Sequence, residues 1–167
     1  MRKSFLAVFL LCLFILGCSK LPKTESKSDI LGIRINMSKE NAHKRLNEIG
    51  RLEKEESKQQ EVWTLNNDPS YSNLIVAFTR EDPAVRFVTA KAREDGTRVR
   101  YSEVLDLEKS QQIGSANNYK YIQEFPADEK TSGYSIIASG KDQNFLTYLS
   151  LKDLTPSESE EEEEDDE

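Results

Sequence analysis

The chain has 167 residues, 32% of them charged, a mean hydropathy of −0.66 and a formal net charge of −7 at pH 7. Two cysteines and one histidine exclude a disulfide framework and metal sites of the Cys/His type. The acidity belongs to one end: residues 158–167 hold nine of the 30 acidic groups, and without them and the basic pair Arg2 and Lys3 the chain carries 21 groups of each sign, so no basic patch is expected from composition, which argues against nucleic acid as the main partner.

Arg2 and Lys3 precede an uncharged apolar run from Phe5 to Leu16, the n-region and h-region of an export signal over residues 1–17. Such a run is short of the roughly 20 apolar residues that a membrane-crossing helix needs. Ile15-Leu16-Gly17-Cys18 resembles the bacterial lipobox. The resemblance implies cleavage before Cys18, a diacylglycerol thioether on its sulfur and acylation of the new amine. Two or more chains anchor stably where one binds only marginally. With Ser19 rather than Asp after the cysteine, it also implies sorting to the outer membrane, facing the periplasm. Cys12 leaves with the signal, so no thiol remains for chemistry. Residues 18–29 are polar and aperiodic and are expected to form a lipidated tether.

A first αβββ repeat is expected over residues 30–93. Leu31, Ile33 and Ile35 alternate in the manner of a short strand or extended lead-in. Ser38 can cap a helix whose apolar stripe is Ala42, Leu46 and Ile49, with Met37 and Ala42 placed as a staple and Gly50 as a left-handed stop. Three β-rich runs follow, at residues 61–65, 74–78 and 85–90, separated by Asn/Asp/Pro turns short enough to favour antiparallel neighbours. The capped Met-Ser-Lys-Glu helix ending in Gly, with Trp63 opening a meander, resembles the small outer-membrane lipoproteins of the BamE/OmlA type over residues 32–92. The resemblance implies a helix laid on a three-stranded meander and a place in outer-membrane protein assembly. Asn36 departs from the family pattern, which usually has Gly before the Met, as does Arg51 where a Pro often follows soon after the Gly.

A second, divergent αβββ repeat is expected over residues 94–154. A shift of 61 brings Ile75 to Ile136, Val76 to Ile137, Phe87 to Tyr148 and Lys91 to Lys152; a shift of 64 brings Ser38 to Ser102 and Gly50 to Gly114. Tyr119-Lys120-Tyr121-Ile122 takes the part of the Trp63 strand. Ser110, Gln111 and Gln112 dilute the stripe of its helix. The tandem resembles the architecture of the β-lactamase inhibitor protein, which implies two similar layers with sheets forming a continuous concave surface. The acidic run over residues 155–167 is expected to stay disordered, since like charges repel and bury nothing.

Little catalytic chemistry is in evidence. His43, the lone histidine, sits one position off the apolar stripe and reads as a partly exposed helix residue. Glu53, Glu55 and Glu56, and Glu81 with Asp82, are acid clusters of the type that can hydrolyse glycosides, but they lie among lysines and arginines in polar stretches and read as solvated surface. No cofactor or metal is expected. Tyr119 and Tyr121, alternating with Lys120, are the candidate partner-binding aromatics. The expected protein is therefore α+β, a helix packed on an antiparallel three-stranded meander, duplicated. Its expected role is non-enzymatic: it would hold to a membrane through Cys18 and bind or scaffold a protein partner. The alternatives are an accessory factor of outer-membrane protein assembly and, last, a carboxylate-dependent hydrolase.

Overall fold

The computed structural model describes residues 28–57, 59–128 and 132–155; the signal, Cys18, most of the tether and residues 156–167 lie outside them. One helix, α1 (Lys39–Ile49), precedes the strands β1 (Gly50–Ser57), β2 (Gln60–Leu65), β3 (Tyr71–Phe78) and β4 (Val85–Ala92). A 3-10 turn (Tyr101–Glu103) precedes β5 (Gln111–Ser115), β6 (Asn118–Phe125), β7 (Tyr134–Gly140) and β8 (Tyr148–Asp153). All eight strands join one antiparallel sheet in the order β1-β2-β3-β4-β8-β7-β6-β5.

This overturns the expected fold of a helix on a three-stranded meander, twice over. The protein is mostly sheet, each half supplies four strands, and the described residues contain one α-helix. Strand β1 escapes sequence reading because its charged residues, Arg51, Glu53, Lys54, Glu55 and Glu56, show no apolar alternation; on a sheet edge they need none, and two register irregularities against β2 further blunt that edge. The second helix is replaced by the 3-10 turn, and its diluted C-terminal end is drawn into β5. Ser102 lies inside that turn and caps nothing.

The first helix forms for the expected reasons. Ser38 Oγ accepts from the Asn41 N–H at 3.4 Å, and Ala42 and Leu46 are wholly buried. Its exit differs from expectation. Gly50 is extended (φ −158°) and leads directly into β1, where the absence of a side chain matters: a Cβ there would sit 2.7 Å from the Thr64 carbonyl oxygen. The lead-in is a turn, not a strand, closed by mutual hydrogen bonds between Ile30 and Ile33, with Leu31 and Gly32 at positive φ.

The core lies on one face of the sheet. Trp63, Leu74, Val76, Val88, Ala90, Leu149, Leu151, Ile136 and Ala138 point to it, and the segments off the sheet cover it with Ile30, Ile33, Ala42, Leu46, Val99, Val104 and Leu105. At about 25 cal/mol per Å² of apolar surface, burying such side chains is the main term holding this layer down.

The two halves meet along β4 and β8 with a two-fold relation. Thr89 faces Ser150, Phe87 faces Lys152 and Lys91 faces Tyr148. Thr89 and Ser150 are 61 residues apart, their hydroxyl oxygens are 2.9 Å apart, and the pseudo-axis passes between them. In β7 the offset becomes 62, because the unpaired residue at the β3–β4 irregularity, Arg86, has no counterpart in the β7–β8 ladder: Ile75 faces Thr89, and Ile137, not Ile136, faces Ser150. The ungapped 61-residue alignment therefore puts Ile136 on the wrong face, as any one-residue slip in a strand does.

Candidate functional site

The second face of the sheet bears no described element. Because strand side chains alternate, the register names its residues. One row crosses the whole sheet: Lys54, Val62, Ile75, Thr89, Ser150, Ile137, Ile122, Gln111. It is apolar in its flanks and hydroxylic at the pseudo-axis. On either side of the axis stand two aromatic–lysine pairs, Phe87 with Lys152 and Tyr148 with Lys91. Tyr148 is 42% exposed, both lysines are exposed, and Phe87, Thr89 and Ser150 are half-buried. Across β3, β4, β7 and β8, the only charged residues on this face are Lys91 and Lys152, and among the described residues neither forms an ion pair. They lie roughly 14 Å apart, four residues along the strands and one strand across. Arg86 lies at the β3–β4 irregularity next to Phe87, with its guanidinium carbon 5.7 Å from the Phe87 ring and its Nε buried without a hydrogen-bond partner.

Tyr119 and Tyr121, the aromatics singled out from sequence, lie on the core face. Both are half-buried against the core, and the Tyr121 ring centroid is 4.7 Å from that of Tyr101 in the 3-10 turn. The exposed aromatic on the free face is Tyr148, in the strand that sequence reading treated as the echo of β4.

A polar cluster that sequence reading missed sits between α1 and β2. Glu61, 3% exposed, accepts Lys39 Nζ at 3.0 Å, His43 Nε2 at 2.9 Å and Trp63 Nε1 at 3.0 Å. Burial pushes its carboxyl up, but the hydrogen bonds from Lys39, Trp63 and His43 outweigh it and hold the group below the usual carboxylate range. His43 also packs edge-on to Phe78 at 5.7 Å and tilted to Trp63 at 5.8 Å, so the lone histidine is part of the α1–sheet joint. The alternation of Glu61, Trp63 and Leu65 was the available signal, since it puts an acid on the same face as two core residues. By register, Tyr121 is the counterpart of Glu61 in the second half, where an aromatic pair replaces the ionic joint.

A cavity of about 310 Å³ opens in the second half, lined by Arg100, Tyr101, Ser102, Leu107, Asn144 and Phe145 among others, where the first half has the start of α1. Arg98 lies over the Phe145 ring at 3.7 Å and pairs with Asp142 at 2.7 Å. The Asn144 N–H and Arg98 hold the Asp142 carboxyl below its ordinary range. A second cavity of about 270 Å³ lies between residues 29–31, Tyr71 and Leu149. The Tyr71 hydroxyl is buried without a partner, and burial, aided by Asp68 and Glu103, pushes it up to about 12. The acid clusters at Glu53–Glu56 are tied into β1 and its neighbour: Glu53 accepts from Thr64 Oγ1 at 2.8 Å, and Glu56 pairs with Lys54 at 2.6 Å. Among the described residues no group of three or more His, Cys, Asp or Glu could hold a metal ion, and no helix is long and apolar enough to cross a membrane.

No protein-family model, no curated protein and no solved structure matches the chain.

Proposed function

We propose that the protein is a lipid-anchored docking module of the bacterial envelope, held to the outer membrane through Cys18 and binding a protein partner on the free face of its sheet. The observation that carries the reading is the aromatic, hydroxyl and lysine patch about the Thr89–Ser150 axis, on a face that no described element covers. Exposed aromatics are enriched at contact hot spots, and the eight-stranded sheet presents Phe87 and Tyr148 on a rigid support with lysines at their rim. The cations, with no carboxylate on the same face of the four central strands, select a partner whose contact surface is acidic around an apolar centre. Binding rather than catalysis is supported by the only histidine being committed to Glu61 and by the acid clusters being paired or solvated.

The test is site-specific photo-crosslinking in intact cells of the source organism. A photoreactive residue at Ile75 or Ile137 is expected to capture a defined envelope protein, and one at Lys44, on the outward side of α1, to capture none. Equal capture from Lys44, or none from the sheet, would refute the reading.

A further inference from the structure

We infer that the acidic C-terminal segment, residues 158–167, lies across the free face of the sheet and competes there with the acidic partner; this rests on the docking reading above. Three observations converge on it. The first is charge. Lys91 and Lys152 are exposed, stand on the free face, and make no ion pair among the described residues, while Arg86, next to Phe87, keeps a buried, unpartnered Nε. Carboxylates on the same face lie at its margins: Glu124 on β6, Glu53 on β1, and Glu56, which is taken by Lys54. The centre is therefore a positive spot in a chain whose acidic and basic groups balance once the tail and the Arg2–Lys3 pair are set aside.

The second is attachment. The tail continues from β8, one of the two strands at the pseudo-axis, and Lys152 is the last residue but one of that strand. Four residues separate Asp153 from Glu158, and an extended chain spans at most about 3.5 Å per residue. The first glutamates can therefore turn back onto Lys152, and the rest can reach Lys91 about 14 Å further on. The third is composition: nine carboxylates in ten residues present an acid at almost every register, so no unique alignment is required. Single exposed ion pairs are weak, but the tether holds the segment at an effective concentration in the millimolar range. An untethered acidic partner must displace it, and added salt weakens both contacts.

Two measurements on the lipidated mature chain in nonionic detergent test this. Zero-length carbodiimide coupling at low ionic strength is expected to join Lys91 or Lys152 to a tail carboxylate within one molecule, read by peptide mass spectrometry. Tail links confined to lysines off this face, such as Lys44 and Lys109, or no tail link at all, would overturn the inference. In the second, a fluorescent deca-glutamate peptide is titrated against the full chain and a chain ending at Thr155. The shortened chain is expected to bind at least tenfold more tightly, to lose that binding in the Lys91→Glu/Lys152→Glu double variant, and to lose the advantage in half-molar salt. Equal binding by both chains would sink the tail's role and leave the docking face standing. No binding by the shortened chain would sink the acidic-partner reading, and the tail inference with it.

Discussion

Glu61 is the residue on which the helix-to-sheet joint can be tested most sharply. In Glu61→Gln the shape is kept and the amide oxygen can still accept from Trp63 Nε1, but the charge that Lys39 and His43 approach at 3.0 and 2.9 Å is gone. A hydrogen bond to a charged group contributes about 1.5–3 kcal/mol. The Lys39 and His43 side chains are 30% and 36% exposed, so water recovers most of that for each, and a net loss of about 1–2 kcal/mol is expected. Glu61→Leu also strands the buried Trp63 N–H, which adds about 1–3 kcal/mol. The assay is urea unfolding followed by tryptophan fluorescence, at neutral pH and again down to about pH 3. Because hydrogen bonding holds the folded-state pKa of Glu61 below its unfolded value near 4.5, its contribution is complete above that value and disappears as pH falls through the lower, folded one. The gap between wild type and Glu61→Gln should therefore close on acidification. A gap under about 0.5 kcal/mol at neutral pH, or one that persists unchanged to about pH 3, would refute the assignment of a charged, donor-saturated carboxylate.

Leu46→Ala empties a wholly buried position under α1 and should cost about 3 kcal/mol in the same unfolding assay, with α1 amides losing hydrogen-exchange protection first. Gly140→Ala would set a Cβ 2.8 Å from the Tyr101 hydroxyl and 2.9 Å from the Phe145 carbonyl oxygen, so about 1–3 kcal/mol of destabilisation is expected, with changed near-ultraviolet tyrosine dichroism. Cys18→Ser should move the protein from the membrane fraction to the soluble periplasmic or released fraction, and retention by membranes after a high-salt wash would contradict the anchor.

Strands with strong β character were legible: the runs at 61–65, 74–78 and 85–90 fall within β2, β3 and β4, and Tyr119–Ile122 falls within β6. Ser38 and the Ala42/Leu46 stripe located α1. What sequence could not show was pairing. The two strands that make each half four-stranded, β1 and β5, are the sheet edges, exposed from Arg51 to Glu56 and from Gln111 to Ser115, so no alternation marks them. The joining of the halves depends on β4 and β8 pairing across the middle, a contact about 60 residues apart in sequence that no local pattern encodes. Of the candidate site, the residues were visible in the Phe87–Tyr148 and Lys91–Lys152 echoes, but the face they occupy follows only from the register. The same holds for Tyr119 and Tyr121, whose alternation with Lys120 is real and whose side is set by Tyr101. Glu61 was hidden by its strand, since a buried acid needs its donors from α1 to make sense of it.

The seam between β4 and β8 carries one more consequence. It is self-complementary, because each strand offers the other its own equivalent: Thr89 to Ser150, Phe87 to Lys152, Tyr148 to Lys91. An opened molecule thus presents two strands, either of which fits the seam of a neighbour as well as its own. Partly opened copies held close together would exchange halves into closed two-chain particles, an outcome that a self-complementary central ladder allows.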